Sequence, residues 1–301
     1  MKMTEDKMQE ALKAYEHYLI WEERSQGTIE KYLRDVKRFL GWSAAQEPEQ
    51  EMKQTMRQEV EGYAPKITKE KAAGWKQTLM EQGYKPVTIN SMIASINSFF
   101  RFMGWDDCRV RFLRVQKRSF RRKDRELTRE DYEKLLAAAK AEGRNQLALL
   151  MEAICSTGIR VSEVKYLTVE AARAGRAEIA LKGKIRVILL PKKLCRKLLK
   201  YAGKQKIRQG EIFLGRSGRS LSRKQIWAEM KRLCRSADVE PSRVFPHNLR
   251  HLFARTYYRV CRDLSRLADL LGHSSMDTTR IYLTTTEEEQ SRDLERLQLI
   301  T

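Results

Sequence analysis

A chain of 301 residues is long enough for one large or two smaller domains, and can bury its core without metal or disulfide staples. Its 60 lysines and arginines stand against 39 acidic residues, a formal charge of +21; such self-repulsion points to a polyanionic partner, with nucleic acid foremost. The five cysteines are odd in number, widely spaced and free of any C-x-x-C pair, and no apolar run has the length of a signal peptide or membrane span. A disulfide scaffold, a zinc ribbon and a membrane protein are thereby disfavoured, and a cytoplasmic location is expected.

Residues 1–115 read as a helical domain. One helix runs through Ala11, Tyr15 and Tyr18. A second follows Thr28, with Ile29, Tyr32, Leu33, Val36 and Leu40 on one stripe and Gly41 as its stop. A third follows Thr68, with Ala72, Trp75 and Leu79 inward, and a fourth follows Thr88 and carries Ile89, Met92, Ile93, Ile96, Phe99 and Phe100. Between Arg109 and Arg125 there are nine basic residues and one acid, Asp124, with no sustained periodicity. Its later part, residues 116–126, reads as an interdomain linker suited to track a phosphate backbone through Lys117, Arg118, Arg121, Arg122 and Lys123.

A second domain, 127–301, opens with a capping box from Thr128 to Asp131 ahead of a helix ending near Gly143. Another helix, Asn145 to about Ser156, stops at Gly158, and a new one capped by Ser162 follows Arg160. Ile179–Leu181 and Ile185–Leu190, separated by Lys182, Gly183 and Lys184, form the clear strand signal and predict a β-hairpin. The rest is mainly helical, broken at 210–222 and 241–246, and a tail helix over 287–301 places Leu294, Leu297 and Ile300 on one stripe. The fold class is therefore mainly α: a helical N-terminal domain and a mixed α/β C-terminal domain with a small hairpin sheet.

Three of the four histidines, His247, His251 and His273, fall in the last fifth of the chain. On a helix starting near Pro246, His247 and Arg250 share a face, so an imidazole and a guanidinium can converge on one anion. Each element has a plain structural explanation when taken singly. A histidine at a helix start caps or packs, Arg160 can simply pair with Glu163, and Lys and Gly are ordinary hairpin-tip residues. His247 and His251 are four apart, but Asn-Leu-Arg lies between them where a zinc protease would have a glutamate, and no phosphate-binding G-x-x-x-x-G-K-[ST] loop is present.

Taken together and in order, these segments resemble the tyrosine recombinase (phage integrase) family over nearly the whole chain. TGIRVSE supplies Arg160, LKGKIR supplies Lys182, HNLRH supplies His247 and Arg250, LGHSS supplies His273, and Tyr282 follows nine residues later. The turn LKGKIR is one residue shorter than the family's usual GKGxKxR. Lys182 is taken as the hairpin lysine, with Lys184 as the alternative; Lys184 and Arg186 are otherwise read as DNA-backbone contacts.

The resemblance implies an Xer-like arrangement in which the helical domain is a SAM-like core-binding domain that clamps DNA with the catalytic domain. It assigns Tyr282 as the nucleophile and His247 as its base, which a free phenol of pKa near ~10 needs at neutral pH. Arg160 and Arg250 are assigned to the non-bridging phosphate oxygens, Lys182 to protonation of the leaving 5′ oxygen, and His273 to a hydrogen bond with the phosphate. Attack yields a 3′-phosphotyrosine, so religation needs no ATP and no cofactor is expected. The implied partner is double-stranded DNA with an inverted-repeat core site, held by a homo-tetramer whose C-terminal tails pack in trans and which passes through a Holliday junction. A non-cleaving DNA-binding protein on the same fold and a type IB topoisomerase are the alternatives.

Overall fold

A computed structural model of the protein describes residues 5–46, 67–114, 125–181, 184–273, 275–282 and 287–297. It divides the chain into two compact units, Met1–Lys117 and Arg118–Thr301. The class expected from sequence holds: the molecule is mostly helical, with a two-stranded sheet.

The N-terminal unit holds α1 (Glu5–Trp21), α2 (Gln26–Ala45), α3 (Lys69–Glu81) and α4 (Pro86–Phe102). Two helices begin earlier than their threonines suggest. Thr28 exchanges a 2.8 Å hydrogen bond with Ser25, the residue that caps α2, and α4 starts at Pro86, whose fixed φ and missing N–H suit a first helical position. Thr68 does cap α3, accepting from the Lys71 amide at 3.3 Å. Gly41 does not stop α2, which continues to Ala45.

Inward stripes from all four helices meet in an aromatic interior, where Phe39 meets Trp75 and Phe100 edge-on at 5.3 and 5.6 Å, and Tyr15 meets Phe99 at 5.2 Å. One buried carboxylate, Asp35, is satisfied by Lys31 at 2.6 Å and Ser95 at 2.9 Å. Two asparagines a double turn apart on α4 clasp the segment that follows the helix. Asn90 exchanges both bonds with the Leu113 backbone (2.7 and 2.9 Å), and Asn97 does the same with Val110 (2.9 and 3.1 Å). The first part of the basic stretch is therefore pinned to the helical unit.

The C-terminal unit opens with α5 (Arg129–Ala141), whose predicted capping box forms: Thr128 accepts from the Asp131 amide at 3.0 Å and Asp131 from the Thr128 amide at 3.1 Å. Next come α6 (Asn145–Thr157) and α7 (Val169–Ala174), then the antiparallel strands β1 (Arg176–Leu181) and β2 (Lys184–Leu189). β1 starts three residues before Ile179, because Arg176 already pairs with Leu189. Lys184 belongs to β2, opposite Leu181, rather than to the turn. The inner face of the hairpin buries Ala177, Ile179 and Ile188, while Ile185, Val187 and Leu189 lie exposed on the other face.

The helices α8 (Lys192–Lys204), α9 (Arg223–Ser236), α10 (Pro246–Cys261), α11 (Leu264–Leu271), α12 (Met276–Arg280) and α13 (Glu287–Arg296) complete the unit. Its main core is aliphatic and centres on α6, against which α10, α5 and α8 pack. Leu294 and Leu297 of the tail are exposed, and Ile300 lies outside the described residues.

Candidate active site

The site is assembled where the end of α6, the first turns of α10 and the loop after α11 converge. α6 ends at Gly158 in the left-handed region (φ +67°), and a Cβ there would stand 2.4 Å from Phe253 of α10. Removing that side chain lets α10 close on the helix end, bringing the Gly158 carbonyl onto the Arg250 guanidinium. The next turn is a 3-10 helix over Val161–Tyr166, capped by Arg160 and Glu163 rather than by Ser162. Glu163, 2 % exposed, accepts from the Arg160 amide at 2.7 Å and from its Nη1 at 2.9 Å. The other Arg160 nitrogen donates to the Gly272 carbonyl at 3.1 Å, which holds the guanidinium while about 40 % of the side chain faces solvent.

Arg250 is itself 2 % exposed and donates to the Gly158 carbonyl, to the Leu271 carbonyl at 2.7 Å and to His273 Nε2 at 2.9 Å. Burial, with Arg160 next, lowers its pKa to about 10, and a hydrogen bond with Tyr282 opposes that shift; the group is still cationic at neutral pH. Because an arginine only donates, His273 Nε2 must accept, which leaves the proton on Nδ1 facing Thr279 Oγ1 at 2.8 Å. Both ring nitrogens are thus engaged by protein, so donation from His273 to a phosphate, the expectation from sequence, requires one of these bonds to be exchanged. Burial and the nearby Arg250, Arg160 and Arg186 charges pull the His273 pKa to about 4.

His247 sits one turn before Arg250 on α10. Its pKa is lowered by burial and then by Arg250, Arg223 and Arg160, so it is a neutral imidazole able to take a proton. Tyr282, 3 % exposed, packs on Ala254, Leu267 and Leu271, with its ring parallel to His273 at 5.8 Å. His251, to which the sequence reading assigns no role, also belongs to the group: its ring meets His247 at 4.4 Å and Tyr282 at 4.5 Å, both edge-on. Burial, then His247, Arg255 and Arg250, depress its pKa to about 3. The i, i+4 spacing of the two histidines was the signal, visible in sequence but weighed only against zinc.

Beside these groups a cleft of about 520 Å³ is lined by Arg160, His247 and Arg250 and, from the first turns of α9, by Arg223, Lys224 and Trp227. Four cations, a neutral imidazole and a half-exposed indole make it suited to a phosphate with an adjoining sugar or base.

Five of the six residues singled out as catalytic, Arg160, His247, Arg250, His273 and Tyr282, are therefore neighbours. The sixth, Lys182, lies outside the described residues, as do Lys117, Arg118, Arg121, Arg122 and Lys123. Lys184 is described only as the first residue of β2. Arg186 departs from its expected role as a backbone contact: it is 16 % exposed, pairs with Glu163 and donates to the Leu270 carbonyl at 3.0 Å. Strand alternation turns it inward, because Ile185 and Val187 on either side face solvent.

Comparison with known proteins bears on the family and the fold. The model of the phage integrase family matches residues 125–289, and that of the phage integrase N-terminal SAM-like domain matches residues 12–106. Tyrosine recombinase XerA of Thermococcus kodakarensis is 29% identical over 97% of this chain and 96% of its own length, and tyrosine recombinase XerD of Listeria monocytogenes is 27% identical over 91% and 94%. Among solved structures, a lambda integrase dimer bound to a COC′ core site superposes with a TM-score of 0.66 at 19% identity, covering 94% of this chain and 95% of that one. A lambda integrase tetramer bound to a Holliday junction gives 0.65 at 19% identity over 93% and 77%. At these identities the structures speak to the fold.

Proposed function

The chain belongs to the phage integrase family, the DNA breaking and rejoining tyrosine recombinases, and on that premise we propose that it acts at one specific DNA site through a 3′-phosphotyrosine on Tyr282. The Tyr282 oxygen attacks the scissile phosphorus and its proton passes to a neutral imidazole, His247. Arg160 and Arg250 hold the non-bridging oxygens as charge builds on them. The bond to the 5′ oxygen breaks and that oxygen leaves with a proton from Lys182, Lys184 being the alternative donor. The number of phosphoester bonds is unchanged, so a free 5′-hydroxyl of another strand can reverse the step.

The observation that carries this reading is the convergence of five groups drawn from separate stretches of sequence: Arg160, His247 and Arg250 line one cationic cleft, and Arg250 bonds His273, whose ring lies parallel to that of Tyr282. Within the +21 chain, the helical unit is assigned to DNA binding and residues 116–126 to a linker along the backbone. The tail sequence EEEQSRDLER carries five acids against two arginines, so it suits a basic protein surface better than DNA. With Leu294 and Leu297 exposed on it, it is assigned to trans packing in a tetramer on an inverted-repeat site that passes through a Holliday junction, for movement or resolution of a DNA element.

The test is covalent trapping on a library of nicked random duplexes, in which the short fragment released beside the nick makes cleavage irreversible. A denaturation-resistant adduct that forms with wild type and vanishes with Tyr282→Phe, at unchanged DNA retention, is the expected result. Enrichment of one sequence without any adduct would make the protein a non-cutting DNA binder, whereas adducts at every sequence together with relaxation of supercoils would make it a topoisomerase.

A further inference from the structure

Three segments distant in sequence meet at the guanidinium of Arg186. It pairs with Glu163, the carboxylate that also grips the amide and Nη1 of Arg160. It donates to the Leu270 carbonyl at the end of α11, one turn before His273. Its stem runs against Gly272: a Cβ on that glycine, which adopts φ +61°, would stand 2.6 Å from Arg186 Cδ and 2.7 Å from Nη1. Gly272 in turn supplies the carbonyl that receives Arg160 Nη2 at 3.1 Å. The arginine and the glycine thus close a ring of contacts, from β2 to Glu163, to Arg160, to Gly272 and back to β2.

The cost of this arrangement is visible. The guanidinium is drawn out of water, which lowers its pKa with Glu163 opposing the shift, and its buried Nε has no hydrogen-bond partner among the described residues. A cation placed for DNA would remain in solvent, where its long stem stays free and its charge fully available. Arg186 instead gives both terminal nitrogens to groups that set the position of Arg160 and of the loop leading to His273.

We propose that Arg186 is a positioning residue of the recombinase site, acting through Glu163 and the Leu270–Gly272 carbonyls to hold Arg160 and His273 in register for one phosphate. The inference rests on the reaction proposed above. It predicts that loss of the guanidinium leaves DNA affinity intact and slows cleavage about 100-fold, the scale of a displacement of roughly 1 Å in a positioned group. Arg186→Lys, which keeps the charge but cannot span both partners, falls between wild type and Arg186→Met.

Two measurements on folded protein, with matched melting temperatures as the control, decide it. The first is hydrogen exchange of the free protein by mass spectrometry. Arg186→Met should raise exchange in both 160–166 and 270–275 while leaving α5 unchanged; exchange confined to the hairpin overturns the proposal. This arm needs no DNA and so stands even if the recombinase reading fails.

The second is single-turnover cleavage of a nicked duplex of the sequence that wild type traps, made with an ordinary phosphate or with a neutral methylphosphonate at the cut. A phosphate lacking one charged oxygen makes less use of Arg160, so the gap between wild type and Arg186→Met should narrow on it; an equal gap on both substrates reduces Arg186 to a packing role. Weaker binding with a salt slope smaller by about one, at an unchanged saturated rate, returns Arg186 to the DNA backbone and overturns the inference.

Discussion

The interior of the helical N-terminal unit and the floor of the catalytic cleft are both closed to water, yet they are filled by opposite chemistry. The first is a stack of Tyr15, Phe39, Trp75, Phe99 and Phe100, with one buried carboxylate among the described residues, neutralised by Lys31. The second buries Arg250, Glu163 and much of Arg186, beside two half-buried histidines of depressed pKa. Aromatic burial is stabilising by area alone, whereas each buried ion costs several kcal/mol before its partners repay it. The difference teaches that, among the described residues, most of the costly charge this protein buries is gathered where charge must be aimed.

The sharpest break in the comparison is Arg250→Ala. It strands the Gly158 and Leu271 carbonyls and removes a partner of His273, so urea denaturation should show a loss of about 1–3 kcal/mol for each stranded carbonyl along with the loss of cleavage. Arg160→Ala, at a side chain open to solvent, should abolish cleavage while costing under about 1 kcal/mol. A similar stability loss for both would erase the distinction between the two arginines. On the other side, Trp75→Ala should cost about 3–5 kcal/mol of stability in the N-terminal unit by opening a cavity, with the saturated cleavage rate of the folded fraction unaltered.

Acid should expose the contrast as well. An unfolded histidine takes a proton as pH falls through about 6.5, while folded His251 and His273 refuse it down to about 3 and about 4. Below about 6.5 the unfolded chain therefore binds more protons, so stability that is complete above that pH declines until the folded values are passed. Replacing His251 by Phe should make the decline between about pH 6 and 4.5 shallower by roughly 1.4 kcal/mol per pH unit. An identical slope would mean that His251 is already protonated in the native protein. Least consequential for the chemistry is Asn90→Ala, which frees the Leu113 backbone from two bonds and should cost about 1–2 kcal/mol on the same urea curves with cleavage by the folded fraction unaltered.

Much of this architecture was legible in the chain. Helical stripes around Tyr15, Trp75 and Phe99 are statements of period, and the Thr128 box and the glycine after α6 are statements about helix ends, both of which are local. The residues proposed for catalysis were singled out for a different reason, through ordered motifs that resemble a family, and the fold brings five of them together. What escaped depended on distance in sequence. The clasp of Asn90 and Asn97 on residues 110–113 joins groups 13 and 23 residues apart, and the inward turn of Arg186 toward Glu163 and Leu270 is decided by which hairpin face packs. In a strand of alternating apolar and basic residues, the natural guess buries Ile185, Val187 and Leu189; here the apolar side is the open one. His251 escaped because an imidazole in ring contact with a tyrosine leaves no mark beyond a spacing that also fits a metal.

Tyr282 lies almost wholly inside the protein, lodged on Ala254, Leu267 and Leu271 between two imidazole rings. On the reaction proposed above, a phenol so enclosed is not presented to a phosphate drifting past in solution, so uncovering Tyr282 is a step the reaction needs before any bond is broken.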